Sequence, residues 1–338
     1  MSSYVRFSAS LAACLLFLLA GAGLATAQTS GTADQGDLTT FKSNVNVVNL
    51  FFNVKDKHGL LIPHLTKDDF QVFEDGKPQT IKFFTAETNQ PLTLGILIDS
   101  SASQMRVLEM EKEAGGEFLR QVLTDKDLAF VISFDVNVDL LQDFTTSVKD
   151  LRAALERAKI NAGGTGGGPP GLGGGPLPTS NNPRGTLLYD AIWLSSREKL
   201  ANEVGRKALI ILTDGEDEGS QETIKEAVEA AQRADAMVYV ILIADRGFYF
   251  SAGMGYSGDR LMKDLARDTG GRAIEAGNNE TKLKDAFSQI AEELRSQYNI
   301  GYTPTNTNLD GRFRKVEIKT KDKNQKVQTR AGYYALRQ

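Results

Sequence analysis

The stretch that decides the fold is LTLGILIDSSAS, residues 92–103. Residues 92–98 form an apolar run, which is typical of a strand buried on both faces of a parallel sheet. Directly after this run come Asp99, Ser101 and Ser103, whose side chains carry oxygen. In open α/β sheets, ligands bind beyond the carboxyl ends of the strands. The stretch therefore predicts a central strand that delivers three oxygen-bearing side chains to a ligand crevice.

The same alternation of buried strand and helix continues toward the carboxyl terminus. Apolar runs predict further strands at 128–134, 207–213 and 237–243, and segments with helical spacing lie between them. This alternation predicts a doubly wound, mostly parallel α/β sheet over residues 91–297. Residues 163–178 are rich in Gly and Pro and predict an insertion without a packed element.

The two flanking blocks, residues 43–90 and 298–336, predict strands instead. Each contains a predicted β-hairpin, formed by 70–73 with 80–84 and by 313–320 with 327–334. Neither block has enough strands to be stable alone. We therefore expect them to pack together as a small all-β domain, built from both ends of the chain, into which the α/β domain is inserted.

The amino terminus predicts export. In residues 1–27, Arg6 precedes a long apolar run, and small residues before Gln28 offer a cleavage site. Cleavage would remove Cys14, the one cysteine in the sequence, and with it disulfide and thiol chemistry. The alternative is lipidation of Cys14 in a lipobox-like context, although the apolar run continues beyond it. Residues 28–42 are polar and predict a disordered leader.

Composition excludes several classes of function. The 338 residues contain 39 Lys and Arg against 43 Asp and Glu, so the chain has no electrostatic footprint for nucleic acid. No second apolar stretch is long enough for a transmembrane segment in the mature chain. The histidines, His58 and His64, fall in the amino-terminal β block, which weakens any Ser-His-Asp or His-metal site. We expect a periplasmic, cell-surface or extracellular protein without enzymatic activity.

Further oxygen-bearing residues stand at the end of a predicted strand or at the start of a predicted helix, as Asp99, Ser101 and Ser103 do. One carboxylate directly follows the predicted strand 207–213, and one hydroxyl stands just before a predicted helix. The candidate metal ligands are Asp99, Ser101, Ser103, Thr186 and Asp214. Two carboxylates and three hydroxyls are hard donors that suit Mg²⁺ or Mn²⁺. Asp190 and Asp217 would support these ligands or cap helices.

The alternative for Asp99, Ser101 and Ser103 is that they only cap the following helix, as Asp and Ser commonly do. The Asp-x-Ser-x-Ser pattern alone favours that interpretation. Its combination with Thr186 and Asp214, each at a strand end or helix start, favours the metal site.

These residues carry a family resemblance. Asp99-x-Ser101-x-Ser103, Thr186 and Asp214-Gly215 resemble the metal-ion-dependent adhesion site of von Willebrand factor A domains. The resemblance covers roughly residues 91–297. It implies that these positions hold a divalent cation, directly or through water, and that a carboxylate of a protein partner completes the coordination. The insertion directly before Thr186 departs from the compact domain of that family.

The flanking blocks are similar to a narrower group, the secreted acidobacterial-type von Willebrand factor A-related proteins. The matching stretches are LTKDDF (65–70), EDGKPQ (74–79) and YNIGYTP (298–304). This resemblance implies a secreted bacterial protein.

An aromatic loop lies near the predicted metal site. Phe248, Tyr249 and Phe250, with Tyr256, are candidates for a partner-binding rim, because aromatic residues are enriched at interfaces. The alternative is that Phe248 and Phe250 fold back as a local cluster. The GxGxxG spacing at 253–258 does not directly follow its strand, as a dinucleotide site requires.

The sequence thus predicts an exported, divalent-cation-dependent protein-binding or adhesion module in which Mg²⁺ captures an acidic residue of a partner. Two alternatives stay open. One is a Mg²⁺-dependent phosphoryl or ester hydrolase that uses Asp99 beside the metal. The other is a structural envelope protein with a vestigial metal site.

Overall fold

The structure, a computed structural model, describes residues 47–86, 90–160, 185–244 and 258–337. These residues belong to one unit, Val45–Gln338. Four of the predicted features lie outside the described residues: the signal peptide with Cys14, the leader, the Gly/Pro-rich insertion and the aromatic rim of Phe248, Tyr249, Phe250 and Tyr256.

Fourteen strands and six α-helices make up the described chain. The strands are β1 (Val48–Lys55), β2 (Phe70–Glu74), β3 (Lys77–Gln79), β4 (Ile81–Thr85), β5 (Leu92–Asp99), β6 (Leu128–Phe134), β7 (Val138–Thr145), β8 (Arg206–Thr213), β9 (Ala236–Leu242), β10 (Ala273–Glu275), β11 (Tyr298–Tyr302), β12 (Phe313–Thr320), β13 (Lys326–Gln328) and β14 (Gly332–Tyr334). The helices are α1 (Leu108–Val122), α2 (Val148–Leu155), α3 (Leu188–Leu194), α4 (Ile224–Arg233), α5 (Gly258–Thr269) and α6 (Glu280–Arg295). A 3-10 turn, Ala102–Gln104, precedes α1, and a π-helical stretch, Ser195–Leu200, continues α3.

The central sheet confirms the predicted fold class. Its strand order is β10-β9-β8-β5-β6-β7, and all neighbours are parallel except β7, which is an antiparallel edge. From β5 the chain first builds outward through β6 and β7, then returns to place β8 on the other side of β5. The direction of winding therefore reverses between β5 and β8, where α/β sheets place their ligands.

Side chains of β5 alternate between two helical layers, as the period of two in a strand requires. Leu94, Ile96 and Ile98 pack in the layer of α1, α2 and α6, whereas Leu97 packs in the layer of α3, α4 and α5. Gly95 faces the second layer too, and a Cβ there would lie 2.4 Å from Cζ of Phe130. The glycine thus makes room for a large core side chain, and β5 is fixed between two apolar layers.

The two remaining sheets are antiparallel and each combines strands from both ends of the chain. Their orders are β13-β1-β11-β4 and β14-β12-β2-β3. The core between them is aromatic, and the rings of Phe52 and Tyr298 stack with centroids 5.5 Å apart. This β part confirms the second half of the predicted fold class. The domain boundaries at 90/91 and 297/298 stay predictions.

The first predicted hairpin was wrong in its second strand, and the second was confirmed only in the part formed by β12 and β14. At Asp75-Gly76, where both φ angles are positive, β2 turns back into the short strand β3. The chain then crosses to the other sheet, where β4 pairs with β11. Likewise, the predicted return strand 327–334 is divided, because β13 pairs with β1 and β14 with β12. The physical reason for the first difference is that β4 packs in the aromatic core of the β part, where Phe84 stacks on Tyr298 of the paired strand β11 with ring centroids 5.8 Å apart.

Candidate metal centre

Two carboxylates lie side by side at the carboxyl edge of the central sheet. Asp99 ends β5 and Asp214 directly follows β8, and the two strands are paired in parallel up to Ile98 and Leu212. Asp99 is 0 % exposed and Asp214 is 1 % exposed. The topological switch point of the sheet therefore brings together the two acids that the sequence predicts as metal ligands.

Hydrogen bonds hold the Asp99 carboxylate in one orientation. Its Oδ1 accepts from the backbone N–H of Ser101 at 2.9 Å, and its Oδ2 accepts from the hydroxyl of Thr213 at 2.7 Å. The Thr213 Oγ1 also accepts from the backbone N–H of Gly215 at 3.0 Å. Thr213 is a positioning residue that the sequence analysis missed. Its place as the last residue of an apolar strand, beside a candidate ligand, is the signal that could have identified it.

The two buried acids disfavour each other's charge. Burial and then the neighbouring Asp214 carboxylate raise the pKa of Asp99 to about 7, and the hydrogen bonds from Ser101 and Thr213 oppose this rise. Like charges at one buried position are costly because the dielectric screening is weak there. A divalent cation held by these carboxylates would offset that repulsion.

The hydroxyls of Ser101 and Ser103 point to each other, with Oγ atoms 3.0 Å apart. Ser101 is the residue before the 3-10 turn, yet its side chain makes no capping hydrogen bond. Helix α1 begins only at Leu108, and the residue before it, Val107, has no side-chain cap either. The capping alternative therefore does not account for the two hydroxyls.

Thr186 reaches the same edge on a separate segment. Its backbone N–H and C=O pair with Glu218, at 2.9 and 3.0 Å, in the loop after Asp214. The next residue, Leu187, donates its N–H to the carbonyl of Asp135 at 2.7 Å. Asp135 follows β6 and accepts a hydrogen bond at 2.8 Å from the hydroxyl of Ser100. The Thr186 segment thus lies between the loops that leave β6 and β8.

Asp190 and Asp217 fasten the start of α3 to the loop before α4. Asp217 Oδ1 accepts from the backbone N–H of Tyr189 at 3.0 Å and from the hydroxyl of Ser220 at 2.6 Å. Asp190 accepts from the backbone N–H groups of Gln221 and Glu222. Asp217 thus binds the first turn of α3, whereas α4 is capped by the side chain of Thr223 and Asp190 binds the segment before it. Support of the metal ligands by this pair stays a prediction.

Two exposed apolar side chains lie on described segments that are linked to the candidate ligands. Met105, two residues after Ser103, is 60 % exposed, and Leu261, in the first turn of α5, is 40 % exposed. Helix α5 is bound to the loop after Asp214, since the N–H of Gly258 donates to Oε1 of Glu216 at 2.7 Å. Single exposed apolar residues are common on protein surfaces. Met105 follows Ser103 closely in the chain, and Leu261 lies on the helix that is bound to the loop after Asp214, so both are candidates for partner contact.

The donor set fits a hard divalent cation. Oxygen from carboxylates and hydroxyls is what Mg²⁺ and Mn²⁺ prefer, and the buried pair of Asp99 and Asp214 supplies two negative charges. Among the described residues, no group of three or more His, Cys, Asp or Glu side chains is arranged to hold a metal ion. A cation here would therefore depend on the hydroxyls and on water for the rest of its coordination.

Fold and site define the class: a doubly wound α/β protein with an oxygen-rich site at its switch point. No protein-family model matches the chain, and no curated protein matches its sequence. Solved structures that are similar to the chain include von Willebrand factor A domains.

One such structure is a von Willebrand factor type A protein from Catenulispora acidiphila. It is 13% identical, with 88% of this chain and 75% of that chain covered and a TM-score of 0.44. The vWF domain of the type V pili tip protein Mfa5 from Porphyromonas gingivalis is 14% identical, with coverage of 60% and 94% and a TM-score of 0.43. The conserved hypothetical protein BatB from Bacteroides thetaiotaomicron is 18% identical, with coverage of 61% and 100% and a TM-score of 0.42. At these values the likeness concerns shape alone.

Proposed function

We propose that the protein is an exported binding module that captures an acidic side chain of a protein partner through a divalent cation, Mg²⁺ or Mn²⁺. Asp99, Ser101, Ser103, Thr186 and Asp214 would hold the cation. The observation that carries the proposal is the pair of buried carboxylates, Asp99 and Asp214, placed side by side at the switch point of the sheet. The match of all five residue types to the adhesion-site pattern supports it.

The chain's own residues explain why such a site would bind rather than react. The carboxylates and hydroxyls contribute at most two negative charges, so a bound cation would keep the electrophilic character that attracts one more carboxylate. Thr213 and the backbone of Ser101 fix the orientation of Asp99 before any ligand arrives. Met105 and Leu261 would contact apolar parts of the partner around its acidic residue.

The hydrolase alternative requires a base or nucleophile beside the cation. Both carboxylate oxygens of Asp99 accept hydrogen bonds within the protein, and the side chain is 0 % exposed. This geometry suits a residue that holds the cation, and not one that attacks a substrate. The two histidines, His58 and His64, lie between β1 and β2 in the β part of the chain. No described feature favours the hydrolase over the binding module.

Export is part of the proposal and follows from the signal-like residues 1–27. Within the described residues, the structure has no helix that is both long and apolar enough to cross a membrane.

The first test is calorimetric titration of MgCl₂ into the metal-free protein and into Asp99→Asn and Asp214→Asn. We expect measurable Mg²⁺ binding by the unmodified protein and none by either variant. The matched control is Asp127→Asn. Asp127 is also a buried acid that contacts β5, but it accepts from the N–H of Leu92, at the opposite end of that strand. It should leave Mg²⁺ affinity unchanged.

The second test concerns the partner. Peptides that contain Asp or Glu are arrayed beside matched peptides with Asn or Gln, and protein binding is scored with Mg²⁺ and with a chelator. Capture of the acidic peptides only, and only with Mg²⁺, is the expected result. Mg²⁺ binding that survives both Asp99→Asn and Asp214→Asn would show that the assigned site is wrong. Equal capture of acidic and amide peptides would contradict the carboxylate partner.

A further inference from the structure

Three polar atoms close to the candidate site are buried without a hydrogen-bond partner. They are Oε1 of Gln104 and both carboxyl oxygens of Glu111, and both side chains are 0 % exposed. Most buried polar groups in proteins are hydrogen-bonded, and an exception calls for a specific explanation such as a bound water, an ion or a functional role. A buried acid without a partner is especially costly.

The backbone places these two side chains on one side of the chain. The N–H of Val107 donates to the carbonyl of Gln104 at 3.0 Å, and the N–H of Glu111 donates to the carbonyl of Val107 at 3.0 Å. Residues three and four apart lie above one another on the same face of a helical segment. The face begins at the candidate site, because Nε2 of Gln104 lies 3.5 Å from Oγ of Ser103.

The charges of both buried acids act on the Glu111 carboxyl. Burial, then the charge of Asp99, then that of Asp214 raise the pKa of Glu111 well above its usual value. The neighbouring cation, Lys112, is paired instead with Glu109 at 2.7 Å. The acid therefore lies in a region where the protein itself supplies negative charge.

Packing alone does not explain an acid at this position. The buried face of α1 is otherwise largely apolar, with Leu108, Phe118 and Leu119 in the core layer shared with α2 and α6. A Leu or Met at position 111 would fill similar space without the desolvation of a carboxyl group. The residue type thus points to a polar ligand on this side of the site.

We propose that Glu111 and Gln104 form an outer layer of the cation site and hydrogen-bond water molecules that belong to the bound cation's coordination shell. This inference rests on the proposed cation binding. Mg²⁺ keeps several water ligands in proteins, and those waters need acceptors of their own. Groups that orient the ligands of a metal change its affinity by about 10- to 100-fold. Glu111 and Gln104 are positioning residues in this arrangement.

The test is Mg²⁺ calorimetry on Glu111→Gln, which keeps the shape of the side chain and removes its acidity. We expect the Kd for Mg²⁺ to rise about tenfold. The melting temperature of the protein in EDTA should change by no more than about 4 °C, because no metal-free contact of the carboxyl group is lost. A purely structural role would lower the melting temperature and leave the affinity of the folded protein intact. Gln104→Met provides a second variant and should also weaken Mg²⁺ binding.

The matched control is Glu109→Gln. Glu109 lies on the same helix two residues earlier, with its side chain 82 % exposed, and its replacement should leave Mg²⁺ affinity unchanged. If Glu111→Gln and Gln104→Met bind Mg²⁺ as the unmodified protein does, while Asp99→Asn does not bind it, the outer layer is refuted and the proposed function stands. Absence of Mg²⁺ binding by the unmodified protein would refute both.

Discussion

Two buried acids, Glu74 in the β part and Asp99 in the α/β part, lie in opposite electrostatic environments. Glu74 is 2 % exposed, and its Oε2 accepts hydrogen bonds from the hydroxyls of Tyr302 and Tyr333, both at 2.8 Å. Its Oε1 lies 3.4 Å from the guanidinium of Arg314. Both oxygens of the Glu74 carboxylate therefore have donors within the protein.

The environment of Asp99 contains a second carboxylate, Asp214, which raises its pKa, and the unpartnered acid Glu111 is close enough to be affected by both. An acid whose charge is balanced by donors within the protein stabilises the fold. Acids that lie close together and repel one another are instead typical of a site that binds a cation. The comparison predicts that substitution of Glu74 lowers the free energy of unfolding, whereas substitutions at the candidate metal centre lower the affinity for the ligand.

The largest expected effect is that of Glu74→Ala. It leaves Arg314 buried, with 4 % of its side chain exposed and without its acid, and removes the acceptor of two tyrosine hydroxyls. Breaking a buried ion pair from one side typically costs about 3–5 kcal/mol. We expect a loss of that size in the free energy of unfolding measured with urea.

The control for this variant is Glu317→Ala on the neighbouring strand β12. Glu317 has 54 % of its side chain exposed, and removal of such a residue usually changes stability by no more than about 0.5 kcal/mol. Near-equal stability of the two variants would show that the Glu74 cluster does not hold the β part together. In both folded variants the Mg²⁺ affinity should equal that of the unmodified protein.

The placement of Asp99 and Asp214 at neighbouring strand ends was predictable from the sequence because both follow apolar runs. An apolar run before Asp99 and another before Asp214 indicate two strand ends, and adjacent parallel strands bring such ends together. Glu111 was missed, although its spacing of three from Leu108 places it on the buried face of α1. Periodicity identifies the face, but the lack of a partner for a side chain is visible only in three dimensions.

In the β part, the sequence predicts strands but not how they pair. Alternation of apolar residues indicated strands near 70–73 and 80–84, but it does not say which sheet a strand joins. The partners of Glu74 are separated from it by 228 residues for Tyr302 and 259 for Tyr333. The strand content predicts that the two ends of the chain pack together, but no local pattern says which side chains meet there, so the contacts of Glu74 with Tyr302 and Tyr333 could not be predicted.

A smaller effect is expected from the tyrosines of the same cluster at high pH. Burial and the hydrogen bond to Glu74 are the main causes that raise the pKa values of both Tyr302 and Tyr333. Above about pH 10 the unfolded chain loses the phenolic protons while the folded protein keeps them, so stability must fall as the pH rises. Each such tyrosine contributes a slope of about 1.4 kcal/mol per pH unit.

Tyr302→Phe removes one of these protons and should reduce the loss of stability between pH 9 and 11, measured by urea unfolding, by about 1.4 kcal/mol in total. Tyr334→Phe is the control. Tyr334 is only half-buried, and its replacement should change the slope less. An unchanged slope in Tyr302→Phe would mean that its hydroxyl ionises in the folded protein as it does in the unfolded chain.

The smallest changes in stability are expected when two serines are replaced by alanine. These two variants also give the most direct comparison between a structural residue and a candidate metal ligand. Ser103 is half-buried, and its hydroxyl contacts that of Ser101 at the candidate metal centre, whereas Ser147 caps α2 by accepting from the N–H of Asp150. Ser147→Ala should cost about 1 kcal/mol of stability, as loss of a helix cap does, and leave Mg²⁺ affinity intact. Ser103→Ala should change stability by no more than about 0.5 kcal/mol and weaken Mg²⁺ binding about tenfold or more.

The same substitution at the two serines thus separates the two roles, because only the hydroxyl of Ser147 caps a helix in the metal-free fold. Urea unfolding in EDTA measures the first effect and Mg²⁺ calorimetry the second, on the same protein samples. If Ser103→Ala lost stability and kept its Mg²⁺ affinity, the bond between Ser101 and Ser103 would be a structural contact like the cap at Ser147. The hydroxyls would then not belong to the cation's coordination, and two buried acids alone would have to hold it.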